Sequence, residues 1–263
     1  MASNGLLGPD ESPSFCKLDA EPAFPALLVC DHAANTIPAC LNQLGISPVD
    51  LMTHFAVDIG AAGITEYLNK RLALPAVMCG YSRLVVDCNR ALTDPTAYPL
   101  TMDNLLVPGN QQLDHTARQQ RADAIYWPYH HAVRDALTGL ELIAPAPALI
   151  AIHSFTPVFD GVQRPWDIGI LWDKDPRIAL PLLEALRRSE ELVVGDNEPY
   201  SGKHPHDFTI DHHGEAEGLP HISIEIRQDL IDSDDGVSYW GEVLADALTP
   251  ILSDTALYSH WTC

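Results

Sequence analysis

Six short runs, most of them apolar from end to end, limit what this chain can fold into: "ALLVC" (26–30), "AVMCG" (76–80), "ALIAI" (148–152), "IGILW" (168–172), "ELVVG" (191–195) and "ISIEI" (222–226). A strand without an alternating polar face has to be covered on both sides. Helical patterns lie between the runs. "DIGAAGITEYLNKRLAL" gathers Ile64, Tyr67, Leu68 and Leu72 on one stripe, with Asp58 at its start. The stretch 112–142 contains Pro128, which predicts a kink or a division. "DPRIALPLLEALRRSE" and "VSYWGEVLADALTPILS" complete the set. The alternation predicts an α/β protein, a three-layer sandwich with a mostly parallel central sheet.

The 263 residues suit a single such domain over 25–263. Residues 1–24, rich in Pro, Ser and Glu, read as an ill-ordered lead-in. No internal repeat or interdomain linker is evident, and 93–112 is the longest stretch without pattern, a candidate functional loop. No apolar run approaches the roughly 20 residues that span a bilayer. The first residues lack a basic start followed by an apolar segment, so a cytoplasmic protein is the expectation.

Charge narrows the partners. Thirty-six acids against 15 bases give −21, so little basic surface is left to meet phosphates, and neither nucleic acid nor an anionic membrane is expected. Cations are welcome in such a field, and an anionic substrate would need a local cluster of arginines. The six cysteines (Cys16, Cys30, Cys40, Cys79, Cys88, Cys263) form no C-x-x-C pair. Several of them sit within apolar runs and read as small buried hydrophobes, and the missing pair leaves histidine and carboxylate to hold any metal.

In open parallel sheets, ligands bind beyond the carboxyl ends of the strands. "ALLVC" runs directly into Asp31 and His32, "ALIAI" into His153 and Ser154, and "ISIEIR" carries Ser223, Glu225 and Arg227 on one face. A strand-end histidine on its own is ordinarily a hydrogen-bonded structural residue. Two of them with one acid would supply three ligands to zinc and leave a fourth position open. Asp58 is the best third ligand, and it is equally a favoured N-cap for the helix that follows. "YSRLVVDCNR" sets Arg83, Asp87, Asn89 and Arg90 around an apolar core. These could form a surface salt bridge, or a bidentate grip on a carboxylate. His130 and His131 read as partly exposed helix residues. His204, His206, His212 and His213 form a loop cluster, either an adventitious metal binder or a flap over a substrate. His54 and His115 have no supporting context.

Two other chemistries fit poorly. No G-x-S-x-G elbow supports a serine hydrolase. "GDNEPYSGK" places six residues between its glycines where a phosphate-binding loop needs four.

In order, "VCDHAANTIP", "HFAVDIGA", "YSRLVVDCNR", "IAIHSFTPV", "GDNEPYSG" and "HISIEIRQDLI" resemble the N-formylglutamate amidohydrolase family, from residue 26 to about 231. The resemblance implies a zinc-exopeptidase-like (phosphorylase/hydrolase-like) architecture. It implies one divalent metal ion, zinc by preference, on His32, Asp58 and His153, with Glu225 as the proton-accepting acid. The expected substrate is a small anionic N-acyl amino acid of the N-formylglutamate kind. Arg83, Arg90 and Arg227 are the candidates to hold its carboxylates, with Asn89, Asn197 and Tyr200 as polar partners. The alternatives are an amidase on other acylated peptides and a non-catalytic small-ligand-binding protein of the same fold.

Overall fold

The computed structural model describes residues 5–103, 105–203 and 207–262. Its centre is a seven-stranded sheet. In chain order the strands are β1 (Phe15–Leu18), β2 (Ala26–Cys30), β3 (Ala76–Cys79), β4 (Ala148–Phe155), β5 (Ile168–Leu171), β6 (Val194–Asp196) and β7 (His221–Arg227). Across the sheet they run β1-β3-β2-β4-β7-β5-β6. The inner strands β3, β2, β4 and β7 are parallel, while β1 and β5 run against their neighbours β3 and β7. The expected mostly parallel α/β sheet is therefore present, with antiparallel additions at both edges.

Each apolar run is buried on both faces, as its composition requires. From β2, Leu28 and Cys30 enter one core with Ile150, Ile152, Ile222, Ile224 and Ile226. That core is roofed by α1 (Ala61–Leu72), α4 (Ala179–Leu186) and α5 (Asp234–Leu252). Leu27 and Val29 face the other way, against Ile125, Tyr129, Val133, Leu137 and Leu140. Those side chains come from α3 (Trp127–Glu141) and from the wide helical turn Ala122–Tyr126 that joins it to α2 (His115–Arg121). The division foreseen at Pro128 falls in this turn, and the proline occupies the first turn of α3, where no helical N–H is lost.

Two edge elements differ from expectation. The segment before residue 25, read as an ill-ordered lead-in, supplies β1, which pairs with β3 through Phe15 to Cys79 and Leu18 to Ala76. Its side chains are half-buried or exposed, so no apolar signature marks it. The strand expected at 191–195 is β6, shifted to Val194–Asp196. As an edge strand it pairs with β5 alone and needs less apolar surface.

The topology fixes where chemistry can occur. From β2 the chain crosses to β3 on one side, while β4 lies on the other. The crevice between the carboxyl ends of β2 and β4 is thus a switch point of the sheet, where neighbouring connections diverge and leave room for a ligand.

Candidate active site

His32 follows β2, and His153 lies near the carboxyl end of β4, on the two sides of that crevice. Strand register sets Glu225 of β7 directly beside His153. Since Ile152 and Ile224 point into the α1 core, His153 and Glu225 both point to the opposite face. Asp58 reaches the same place from the loop ahead of α1. Its backbone N–H donates to the His32 carbonyl at 3.0 Å. The N-cap alternative for Asp58 does not hold: the cap position is Gly60, in the left-handed region at φ +80°, and no side chain caps the helix. A Cβ at Gly60 would run into the Ile231 carbonyl. The glycine turn therefore releases the Asp58 carboxylate to face the histidines.

The three groups meet closely. His153 Nδ1 lies 2.9 Å and His32 Nδ1 3.3 Å from the same oxygen, Asp58 Oδ2. The far nitrogen of each ring faces a second carboxylate: His32 Nε2 lies 2.8 Å from Asp87 Oδ1, and His153 Nε2 lies 3.3 Å from Asp31 Oδ2. Arg83 closes the arrangement, with Nη2 3.0 Å from Asp87 Oδ2 and Nη1 3.4 Å from Asp58 Oδ1. Asp87 also accepts from the Asn89 N–H at 2.8 Å, and Asp31 accepts from the Thr209 hydroxyl at 2.5 Å. All of these acids and both histidines are buried.

Burial alone would drive such groups neutral, and their neighbours reverse it. Desolvation raises the Asp58 and Asp87 carboxyls, yet His32 and His153 beside Asp58, and Arg83 and His32 beside Asp87, hold both well below the ordinary carboxylate range. His153 is pushed well above the usual imidazole value, against desolvation, by the Asp31 carboxylate close to its far nitrogen and by its bond to Asp58. His32 is raised too: Asp87 and Asp58 outweigh desolvation and the Arg83 charge. Glu225 behaves in the opposite way. Desolvation raises it to about 7, reinforced by the Asp58 charge and opposed by His153. Its Oε2 has no hydrogen-bond partner among the described residues.

His32, Asp58 and His153 form the group whose ligand atoms lie close enough, within 4.8 Å of one another, to hold a metal ion. The chemistry of the donors fits a divalent cation. Two ring nitrogens converge on one carboxylate oxygen, a nitrogen and oxygen donor set of the kind that holds a divalent ion. Each ring is also backed on its far nitrogen by a carboxylate, the arrangement that orients metal-binding histidines.

The other residues singled out from the sequence divide. Arg83 joins the cluster. Arg90 donates from Nη1 to the Asn89 carbonyl and adds to the field that depresses Asp87. Asn89 holds the neighbouring loop, its side-chain oxygen accepting from the Thr209 N–H at 3.0 Å. Asn197 is engaged in its own turn, accepting from the N–H groups of Trp172 and Gly202. Arg227 is held by Asp167 at 3.0 Å and Asp229 at 2.8 Å. The Tyr200 hydroxyl accepts from Arg164.

The helix and loop histidines separate as well. His130, read as partly exposed, is buried, because the turn Ala122–Tyr126 rotates it toward Cys88 and His213. His212 and His213 belong to the helical turn Asp211–Glu215, whereas His204 and His206 lie outside the described residues. The sequence reading gave no site role to Asp31, Asp87 and Thr209. For the first two a signal was available, since each acid directly ends an apolar run. Thr209 carried none.

The sequence model described as N-formylglutamate amidohydrolase matches residues 24–232. A solved structure of a gene product from Agrobacterium tumefaciens shares 33% identity, covering 95% of this chain and 99% of its own, with a TM-score of 0.90. The crystal structure of an N-formylglutamate amidohydrolase from Ralstonia eutropha shares the fold at 20% identity, covering 93% of this chain and 99% of its own, with a TM-score of 0.70. Among curated proteins, no sequence matches significantly. Among the described residues, no helix is long and apolar enough to cross a membrane. With the family match extending over most of its length, the chain belongs to the N-formylglutamate amidohydrolase family and is a hydrolase of carbon–nitrogen amide bonds.

Proposed function

We propose that this chain hydrolyses the amide bond of a small N-formyl or N-acyl amino acid of the N-formylglutamate kind, using one divalent metal ion, zinc by preference. The architecture would then be that of a zinc exopeptidase. One observation carries the reading: two imidazoles converge on a single Asp58 oxygen, each with a carboxylate behind it, beside a buried glutamate that makes no competing bond from Oε2.

His32, Asp58 and His153 would hold the ion, which when bound supplies Lewis acidity toward the amide carbonyl and toward water. Glu225 accepts the proton of the attacking water, and a value of about 7 suits it to do so near neutral pH. The same carboxyl then returns that proton to the departing amine nitrogen, so it ends the cycle ionised. Asp87 and Asp31 keep the two rings oriented. Arg83 balances the acids around them through its contacts to Asp58 and Asp87. Zinc is favoured because a His₂–carboxylate set of this softness suits it, though iron and manganese accept the same donors.

The test is formate release from N-formylglutamate and from a panel of N-acyl amino acids, with metal content measured on the purified protein. Glu225→Gln should keep the metal and lose at least roughly 100-fold in turnover, the usual contribution of a positioned base. A variant that loses metal would contradict the assigned role. Wild type that holds metal and turns over none of the panel would favour a binding protein of this fold.

A further inference from the structure

We infer that Arg164, at the base of a short hairpin beside the site, grips a carboxylate of the substrate. The inference rests on the amidohydrolase reading above and names the residue that would set its preference for an acidic amino acid.

The hairpin pairs Val158–Phe159 with Val162–Gln163 directly after β4, and the Arg164 N–H closes its base on the Pro157 carbonyl at 2.8 Å. The guanidinium is framed by aromatic rings, its carbon 4.7 Å from the Phe159 ring centre, 4.8 Å from Tyr200 and 5.8 Å from Phe155. Rings of this kind strip water from the flat faces of a guanidinium and leave its in-plane donors free. Nη1 is engaged, donating to the Tyr200 hydroxyl at 3.0 Å and to the Thr156 carbonyl at 3.3 Å. Nε and Nη2 have no partner among the described residues, and no acid there pairs with Arg164. The open edge is the one that meets a carboxylate through two parallel bonds.

Two of the arginines near the site are already held by acids. Arg83 is held by Asp58 and Asp87, and Arg227 by Asp167 and Asp229. In a chain carrying −21, a ring-framed guanidinium with no acid on it is set apart for an anion from outside. Position agrees. The Tyr200 hydroxyl lies within electrostatic reach of Glu225, Arg83 and Arg164 together. Thr156, whose carbonyl Arg164 holds, is three residues beyond His153, roughly 10 Å along an extended chain. An acylated glutamate carries two carboxylates. Either carboxylate of such a substrate has the right chemistry, and the experiment separates them.

The experiment measures formate release by the metal-loaded protein from N-formylglutamate, from N-formylglutamine, which lacks the side-chain carboxylate, and from the α-amide of N-formylglutamate. Wild type, Arg164→Gln and Arg164→Lys are compared, and glutamate binding to each is measured by calorimetry. Arg164→Gln should raise KM for N-formylglutamate roughly 10- to 100-fold, the contribution of hydrogen bonds to a charged group, with kcat nearly unchanged. Arg164→Lys should restore only part, because it keeps the charge and loses the fork. The mono-amide that is already poor for wild type and indifferent to Arg164→Gln identifies the carboxylate that is held. Unchanged KM for all three substrates, or unchanged glutamate binding, overturns the inference. If Arg164→Gln fails to fold by circular dichroism, the lysine variant carries the same comparison. Wild type that releases formate from none of the three brings down the amidohydrolase reading instead. Calorimetry then still decides whether Arg164 binds the carboxylate.

Discussion

Replacing Asp87 by asparagine separates two jobs that one carboxylate performs. Its Oδ1 accepts from His32 Nε2 and from the Asn89 N–H, both at 2.8 Å, and an amide oxygen can continue both bonds. Its Oδ2 receives Arg83 Nη2 at 3.0 Å and Nε at 3.3 Å, and an amide NH₂ placed there would face those donors with donors of its own. Arg83 is 17% exposed and would keep only its longer contact to Asp58, at 3.4 Å. Removing one partner of a buried pair costs about 3–5 kcal/mol, and the partial exposure of Arg83 places Asp87→Asn near the lower end, about 3 kcal/mol. Glu242→Gln is the control. Its pair with Arg71 is nearly half exposed on both sides, so less than about 1 kcal/mol should be lost. Urea unfolding with a chelator present measures both variants. Competition titration with a chromogenic chelator should also show a roughly 10- to 100-fold weaker hold on zinc in Asp87→Asn, the usual effect of losing the carboxylate behind a ligand histidine. Equal stability losses in the two variants, with zinc affinity unchanged, would refute both the buried pairing and the support of His32.

Removing metal with a chelator should lower the thermal midpoint, and added zinc should raise it with concentration as mass action requires; a midpoint indifferent to zinc would count against the His32–Asp58–His153 site. Between pH 6.5 and 4 the metal-free protein should lose stability as pH falls. Burial holds His130 at about 4 and His213 at about 3, below the unfolded value near 6.5, so each takes up its proton first in the unfolded chain, and together they outweigh Glu225, which is raised to about 7 and takes up its proton first in the folded chain. For His130 alone this amounts to about 3 kcal/mol by pH 4. Urea unfolding at several pH values measures the slope, and a flat profile over that window would remove the assignment. Gly60→Ala should destabilise by about 1–3 kcal/mol, because alanine is strained at φ +80° and its Cβ would meet the Ile231 carbonyl. A stability within 0.5 kcal/mol of wild type, a change of the size expected at an unconstrained surface position, would argue against that turn.

How much of this was legible in the chain depends on how local the cause is. Continuous apolar runs announce strands buried on both faces, because no other arrangement removes both sides of Leu27–Leu28 or Leu149–Ile150 from water. The same logic placed His32 and His153 at strand ends, where polar groups meet the crevice. Period-two alternation put Glu225 and Arg227 on one face of β7, yet could not say that Glu225 would lie bare beside His153 while Arg227 closed on Asp167 and Asp229. That difference is tertiary, decided by which loop reaches each side chain. Asp58 shows the same boundary. Its sequence setting fits a helix cap and a ligand equally, and the glycine turn at Gly60 tipped it toward the histidines. The edge strand β1, the burial of His130, and the roles of Asp31, Asp87, Thr209 and Arg164 all come from contacts between residues distant in the chain. A pattern along the sequence records which face of an element is apolar. Which distant charge arrives opposite that face is settled by packing alone.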